Sequence, residues 1–235
     1  MVVARNNPIL VALDVATAEE AVRLARRLEP YVGGFKVGLE LMMGPGPGVI
    51  AAIAKLGKPV FADAKLHDIP TTVHHAARQL GLAGARWVTA HAAGGEVMLR
   101  AAVDGLAAGS GARVNGILAI TVLTSLDHET LAATGVTVSP GKLTAKRARI
   151  ALAAGCEGVI SSVKELGVIT EVAPSLLKVT PGIRLAGTST DDQARVATPE
   201  QGIARGADYL VIGRAITHTD DPEATAAAIH QRISL

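Results

Sequence analysis

Asp63, Lys65 and Asp68 lie within six residues of one another, in the stretch Phe61-Ala62-Asp63-Ala64-Lys65-Leu66-His67-Asp68-Ile69-Pro70. An ammonium flanked by two carboxylates is a set of titratable groups in which the acids favour the charged form of the lysine. The apolar run entering through Lys58-Pro59-Val60-Phe61 reads as a buried strand. Side chains alternate faces along a strand, so Asp63 and Lys65 project to the same side. Burying such a cluster costs desolvation free energy unless its members pair with one another, and clusters of this kind concentrate at functional sites. A purely structural reading also exists, in which Asp68 caps the next helix, Pro70 sits in its first turn, and Lys65 only neutralises Asp63.

Other polar residues stand at the ends of apolar runs. Asp14 closes Ile9-Leu-Val-Ala-Leu, and Lys36 interrupts the short apolar stretch Gly33–Glu40. Thr121, Thr124 and Ser125 follow Val114–Ile120, Pro181, Gly182 and Arg184 follow Leu176–Thr180, and Gly213 and Arg214 follow Tyr209–Ile212. The loop after Pro181 also supplies Gln193. Backbone amides of a glycine turn at a helix start, joined by a forked guanidinium, suit the oxygens of a phosphate. The histidines carry less. His74 and His75 are adjacent and cannot share a helix face, and His128, His218 and His230 sit in polar or helical surroundings. His91 ends a strand, where it could line the cavity or satisfy a buried hydrogen bond, and the second is expected.

The elements that must position these residues are eight apolar strands, each followed by a helical pattern. The strands are read at Ile9–Asp14, Gly33–Glu40, the run entering through Lys58-Pro59 and ended by Asp63 and Lys65, Trp87–His91, Val114–Val122, Gly158–Ser162, Leu176–Thr180 and Tyr209–Gly213. Helix starts are marked by Thr17 before Glu19-Glu20 and by Thr198-Pro199 before Gln201. Gly44-Pro-Gly-Pro-Gly48 has the wrong spacing for a dinucleotide-binding turn and reads as a loop. Leu123–Pro140 is a long polar segment of the kind that can move as a lid. Eight alternations without a linker, over 235 residues, predict a single-domain (β/α)8 TIM barrel spanning 1–235. In a barrel the residues at strand C-terminal ends meet around one mouth, which is where Asp14, Lys36, Asp63, Lys65 and Arg214 would gather.

Composition narrows the partners. A formal net charge of +2 is too small to favour nucleic acid or an anionic membrane surface, and an aromatic content of 2% leaves few stacking platforms for single strands. The lone Cys156 has no intrachain disulfide partner, and no cysteine–histidine spacing suits a metal. No apolar run approaches membrane-spanning length and no leader pattern opens the chain, so a soluble cytoplasmic protein is expected.

With these residues identified, the chain resembles the orotidine 5′-phosphate decarboxylase family along nearly its whole length. The resemblance rests on Leu13-Asp14-Val15, Phe35-Lys36-Val37-Gly38, Asp63-Ala-Lys65-Leu-His-Asp68-Ile-Pro70-Thr-Thr72 and His91-Ala-Ala-Gly-Gly95. It continues through Thr121-Val-Leu-Thr124-Ser125, Thr180-Pro-Gly-Ile-Arg184, Asp192-Gln193-Ala-Arg195 and Ile212-Gly-Arg214. Two positions depart from the pattern. Leu185 and Ala215 stand where the family commonly has proline, each beside the expected site.

The resemblance implies decarboxylation of orotidine 5′-phosphate to uridine 5′-phosphate, without metal or cofactor. Lys65 would protonate C6 after carbon dioxide leaves, Asp63 would face the substrate carboxylate, and Lys36 and Asp68 would complete an alternating charge row. Asp14 and Lys36 would hold ribose hydroxyls, Thr124 and Gln193 the pyrimidine, and Gln193, Arg184, Gly213 and Arg214 the phosphate end, with Pro181 also lining the substrate site. Asp68 and Thr72 would reach into a partner subunit's site, making a homodimer. Competing readings are a metal-dependent sugar-phosphate lyase or synthase using the same Asp-x-Lys-x-x-Asp core, a Schiff-base aldolase, and a barrel that binds a nucleotide or phosphosugar without turning it over.

Overall fold

Strand parity separates two cores in the computed structural model of the chain, which describes residues 7–185 and 196–233. The strands are β1 (Ile9–Ala12), β2 (Gly34–Val37), β3 (Val60–Leu66), β4 (Trp87–His91), β5 (Gly116–Ile120), β6 (Gly158–Ile160), β7 (Leu177–Thr180) and β8 (Tyr209–Ile212). All neighbours pair in parallel and in sequence order, and β8 returns to β1 to close the barrel. Leu10, Ala12, Phe61, Trp87, Leu118, Val179 and Val211 fill the interior. Residues of the opposite parity, such as Val11, Val37, Ala62, Val88 and Ala119, face the surrounding helices and join a larger outer core. Both faces of every strand are therefore covered, which is why the strands read as continuous apolar runs.

The helices Pro70–Leu82 and Gly95–Ser110 follow β3 and β4 and pack on each other along much of their length. Their approach depends on glycine. A Cβ at Gly105 would lie 2.1 Å from the His74 carbonyl oxygen, and one at Gly109 would lie 2.1 Å from that of Arg78. The two strands that carry the densest polar cluster are thus backed by a tightly fitted helix pair.

Three local expectations change. Leu39 and Glu40 do not extend β2 but open a short helix, Leu39–Met43. The polar segment after β5 contains a helix, His128–Ala133, closed at its start by a reciprocal Asp127–Thr130 capping box. Leu131 of that helix buries itself against Val122 and Leu143, a small satellite core. Asp68 does not cap the helix that follows it. Ile69 occupies the cap position, Pro70 the first turn, and the Asp68 carboxylate accepts the Ile69 N–H at 2.6 Å. No helix among the described residues is long and apolar enough to cross a membrane.

Candidate active site

At the C-terminal mouth of the barrel four charges alternate in sign across three neighbouring strands. Lys36 Nζ lies 3.0 Å from Asp14 Oδ1 and 3.9 Å from Asp63 Oδ2, and Lys65 Nζ lies 2.6 Å from the same Asp63 oxygen. The centre of the row is the more buried part. The Lys36 and Asp63 side chains are 12% and 14% exposed, against 34% for Lys65 and 49% for Asp14. Gly38 makes room for this arrangement, since a Cβ there would come 2.9 Å from Lys36 Nζ.

The geometry of β3 is what brings Lys65 over Asp63. Ala62 pairs with Val88 and Leu66 with Ala90, so three residues of β3 lie opposite the single Thr89 of β4. This bulge bends the strand and re-aims its side chains. Within it Lys65 takes φ of +51°, and it is the one described non-glycine residue with positive φ. Such a conformation costs a lysine about 1–3 kcal/mol and persists only where its surroundings enforce it, most often at functional sites. The Lys65 N–H donates to Thr89 Oγ1 at 2.9 Å, and the Thr89 hydroxyl donates to Asp63 Oδ1 at 3.0 Å.

The charge row forms one wall of a cavity of about 330 Å³. Ala12, Phe61, Ile120, Ile160 and Val211 give it an apolar floor, and Val122, Leu123, Thr124 and Ser125 form a second wall. Pro181, Gly182, Arg184, Gly213 and Arg214, from the segments after β7 and β8, complete the lining, with Gly213 beside Asp14. Arg184 is held there by pairing between the segment's two ends. Its N–H donates to the Ala197 carbonyl at 3.0 Å, and the Ala197 N–H donates to the Gly182 carbonyl at 3.2 Å. Arg214 opens a short helix, Arg214–Thr217. An apolar floor bordered by a charged wall and by guanidinium-bearing segments suits a flat ring joined to an anionic group.

Most of the residues anticipated from sequence therefore meet in one place. Asp14, Lys36, Asp63, Lys65, Thr124, Pro181, Arg184, Gly213 and Arg214 all line the cavity. Asp68 and Thr72 do not; both are exposed in the segment after β3. Gln193 lies outside the described residues. His91 departs from expectation, since its half-buried ring makes no hydrogen bond to a described residue and instead faces His67, with ring centroids 5.3 Å apart. Burial, followed by the positive charges of His67, Lys65 and Arg147, holds its pKa below the ordinary histidine value.

Two contributors were missed in the sequence. Thr89 showed only as a hydroxyl at the inward parity of β4, in line with Trp87 and His91. Arg147, on the helix Pro140–Ala153, donates from Nη1 to the Thr121 carbonyl at the end of β5, just before the cavity wall. Burial lowers its pKa from the ordinary arginine value, though a guanidinium stays charged in proteins.

Fold and site together define a TIM-barrel enzyme whose site lies at the C-terminal ends of the strands. The model of the orotidine 5′-phosphate decarboxylase / HUMPS family matches residues 7–229, and the chain belongs to that family. The orotidine 5′-phosphate decarboxylase of Anaeromyxobacter sp. (strain K) is 48% identical over 222 residues, covering 94% of this chain and 96% of its own. That of Moorella thermoacetica is 44% identical, covering 98% and 93%. Among solved structures, the orotidine 5′-phosphate decarboxylase from Lactobacillus acidophilus superposes with a TM-score of 0.86 at 34% identity, covering 97% of this chain and all of the other.

Proposed function

We propose that this protein decarboxylates orotidine 5′-phosphate to uridine 5′-phosphate, without metal or organic cofactor, in the cytoplasm. The observation that carries the reading is the alternating Asp14–Lys36–Asp63–Lys65 row along one wall of a cavity that Arg184 and Arg214 also line. The reaction breaks the bond between C6 and the carboxylate and leaves the electron pair on C6. Lys65 Nζ then delivers its proton to C6, carbon dioxide departs, and solvent restores the ammonium.

An ammonium already fixed beside C6 stabilises the developing charge without reorganising, which is where a preorganised site gains most. Asp63 holds that ammonium and also faces the substrate carboxylate, disfavouring the ground state by a smaller amount. Both carboxylates of the row are engaged by ammonium groups, at 3.0 and 2.6 Å. Asp14 and Lys36 take the ribose hydroxyls, Thr124 and Gln193 the pyrimidine edge, and Arg184, Gln193, Gly213 and Arg214 the phosphate. Binding the remote phosphate supplies free energy that the site uses at the ring.

The working form is a homodimer in which Asp68 and Thr72 complete the partner's site. Both are exposed and neither lines its own cavity. Around them the segments after β2, β3 and β4, three adjacent strands, expose Met43 at 77%, Ile69 at 66% and Val97 at 72%. Exposed apolar side chains of this size are what a subunit interface would cover.

The deciding experiment follows the ultraviolet absorbance of orotidine 5′-phosphate mixed with protein and chelator, beside Lys65→Ala. Rapid loss with the wild type and none with the variant is expected. Tight binding of uridine 5′-phosphate with no turnover would leave only a binding barrel. Neither turnover nor binding would turn attention to magnesium and sugar phosphates. The dimer is tested by mixing Lys65→Ala with Asp68→Ala, which should regain activity that neither has alone. A mixture as inactive as its parts would remove Asp68 from the partner's site.

A further inference from the structure

A charge row functions only while its members stay in line, and the residue that aligns Asp63 with Lys65 never meets the cavity. Thr89 is fully buried at the inward parity of β4, beneath the row, and does not line the pocket. The bulge sets three residues of β3 against it. At that point the register of the ladder shifts. There the Thr89 hydroxyl accepts from the Lys65 N–H at 2.9 Å and, as donor, holds Asp63 Oδ1 at 3.0 Å. Asp63 Oδ2 is then turned toward Lys65 Nζ at 2.6 Å. Three hydrogen bonds close a ring through backbone, hydroxyl, carboxylate and ammonium.

We infer that Thr89 is the positioning residue that fixes both the left-handed backbone of Lys65 and the rotation of the Asp63 carboxylate for proton transfer. A threonine suits this place because one atom must accept from an amide and donate to a carboxylate at once, which a hydroxyl can do. Its β-branched side chain also holds few rotamers, so the hydroxyl is aimed before either partner arrives. Valine has the same shape and can do neither. It would leave a buried amide and a carboxylate oxygen without partners, and the lysine would be free to relax out of its left-handed conformation.

The kinetic part of the test rests on the decarboxylation reading, whereas the structural part does not. Wild type, Thr89→Val and Thr89→Ser are compared by steady-state kinetics on orotidine 5′-phosphate and by residue-resolved hydrogen exchange at the Lys65 amide. Thr89→Val should lower kcat by roughly 10²-fold, the scale of a misplacement near 1 Å. Its KM should stay within about threefold, because the lost interaction aligns the reacting groups rather than binding substrate. Thr89→Ser keeps the hydroxyl and should recover most of kcat. Lys65 amide exchange should accelerate in the valine variant and not in the serine variant.

A valine variant with wild-type kcat overturns the inference, as does a serine variant impaired as badly as the valine. Equal amide protection in all three proteins also overturns it. If Thr89→Val does not fold, Thr89→Ser still decides, since loss of kcat or of Lys65 protection there refutes a role for the hydroxyl. An inactive wild type would count against the decarboxylation reading alone, and amide exchange would then judge Thr89 without it.

Discussion

At the N-terminal end of the strands, Arg86 grips Glu157 with both guanidinium nitrogens, at 2.6 and 2.5 Å, and Trp87 Nε1 donates to the same carboxylate at 3.0 Å. The guanidinium lies 4.5 Å over the Trp87 ring, whose other neighbour is the edge of Tyr209 at 5.0 Å. At the C-terminal end, Asp63 and Lys65 also pair closely, but on a bulged strand with a left-handed lysine and beside an open cavity. Both ends hold acid–base pairs of ordinary residue types. At the lower end a planar fork meets a planar carboxylate in a bidentate pair, and the Trp87 N–H adds a third bond to the same carboxylate. At the upper end the ammonium keeps donors that face the cavity, and the backbone is held where it would not rest alone. Pairing alone therefore does not mark a site. What separates the two is whether the pair closes a surface or borders a space.

The sharpest way to break this contrast is a pair of substitutions that should separate activity from stability. Lys65→Gly removes the proton donor, so turnover should fall by at least about 10³-fold. Stability should change by less than about 1 kcal/mol, because relief of the left-handed conformation offsets the lost ion pair and the extra freedom of glycine. Glu157→Ala should do the reverse. It strands a largely buried guanidinium and the Trp87 N–H, for a loss of about 2–3 kcal/mol in urea unfolding, while kcat/KM stays within about twofold because no reacting group moves. If Glu157→Ala lost turnover as steeply as Lys65→Gly, the closed end would not be merely structural.

Much of this was legible in the chain, and the rest was hidden for identifiable reasons. The strands could be read because burial on both faces makes them unbroken apolar runs, and Asp14, Lys36, Asp63 and Lys65 stood out against that background. Thr89 was invisible as a functional residue, since its importance depends on a register shift between β3 and β4 that no single segment encodes. Arg147 sits among Lys142, Lys146 and Arg149, a group that reads as a solvated basic face, and only packing turns it toward Thr121. The helix His128–Ala133 is short and polar, so its apolar anchor, Leu131, was too slight a signal. Thr72 drew meaning from the family resemblance alone, and Asp68 from its place in the Asp63–Lys65–Asp68 cluster, although both are exposed and do not line their own cavity.

A subtler contrast lies in the response to pH. His91 belongs to the upper end, where burial and the neighbouring His67, Lys65 and Arg147 depress its pKa. The unfolded chain therefore takes up a proton at this residue first, as pH falls through about 6.5. The folded state loses stability across that window until its own lower pKa is passed, below which the penalty is constant. His91→Gln should flatten the acid side of the stability profile, measured as the difference in unfolding free energy between pH 8 and pH 5. An unchanged difference would mean that neither burial nor the charges at the mouth lower the pKa of this ring.

The smallest effect tests the closed end from within. Cys156 immediately precedes Glu157, is buried, and has its thiol pKa pushed up to about 12 by desolvation. Only the thiolate is nucleophilic, so at pH 8 the folded protein should resist iodoacetamide, whereas the unfolded chain, with a thiol near its ordinary pKa, should react. Labelling in the native state then measures opening of the lower end rather than intrinsic reactivity. In Glu157→Ala the Cys156 labelling rate should rise in step with the lost stability, while in Lys65→Gly it should match the wild type. A rise in the lysine variant would show that the two ends are mechanically linked, and that the left-handed residue at the mouth helps to keep the floor shut.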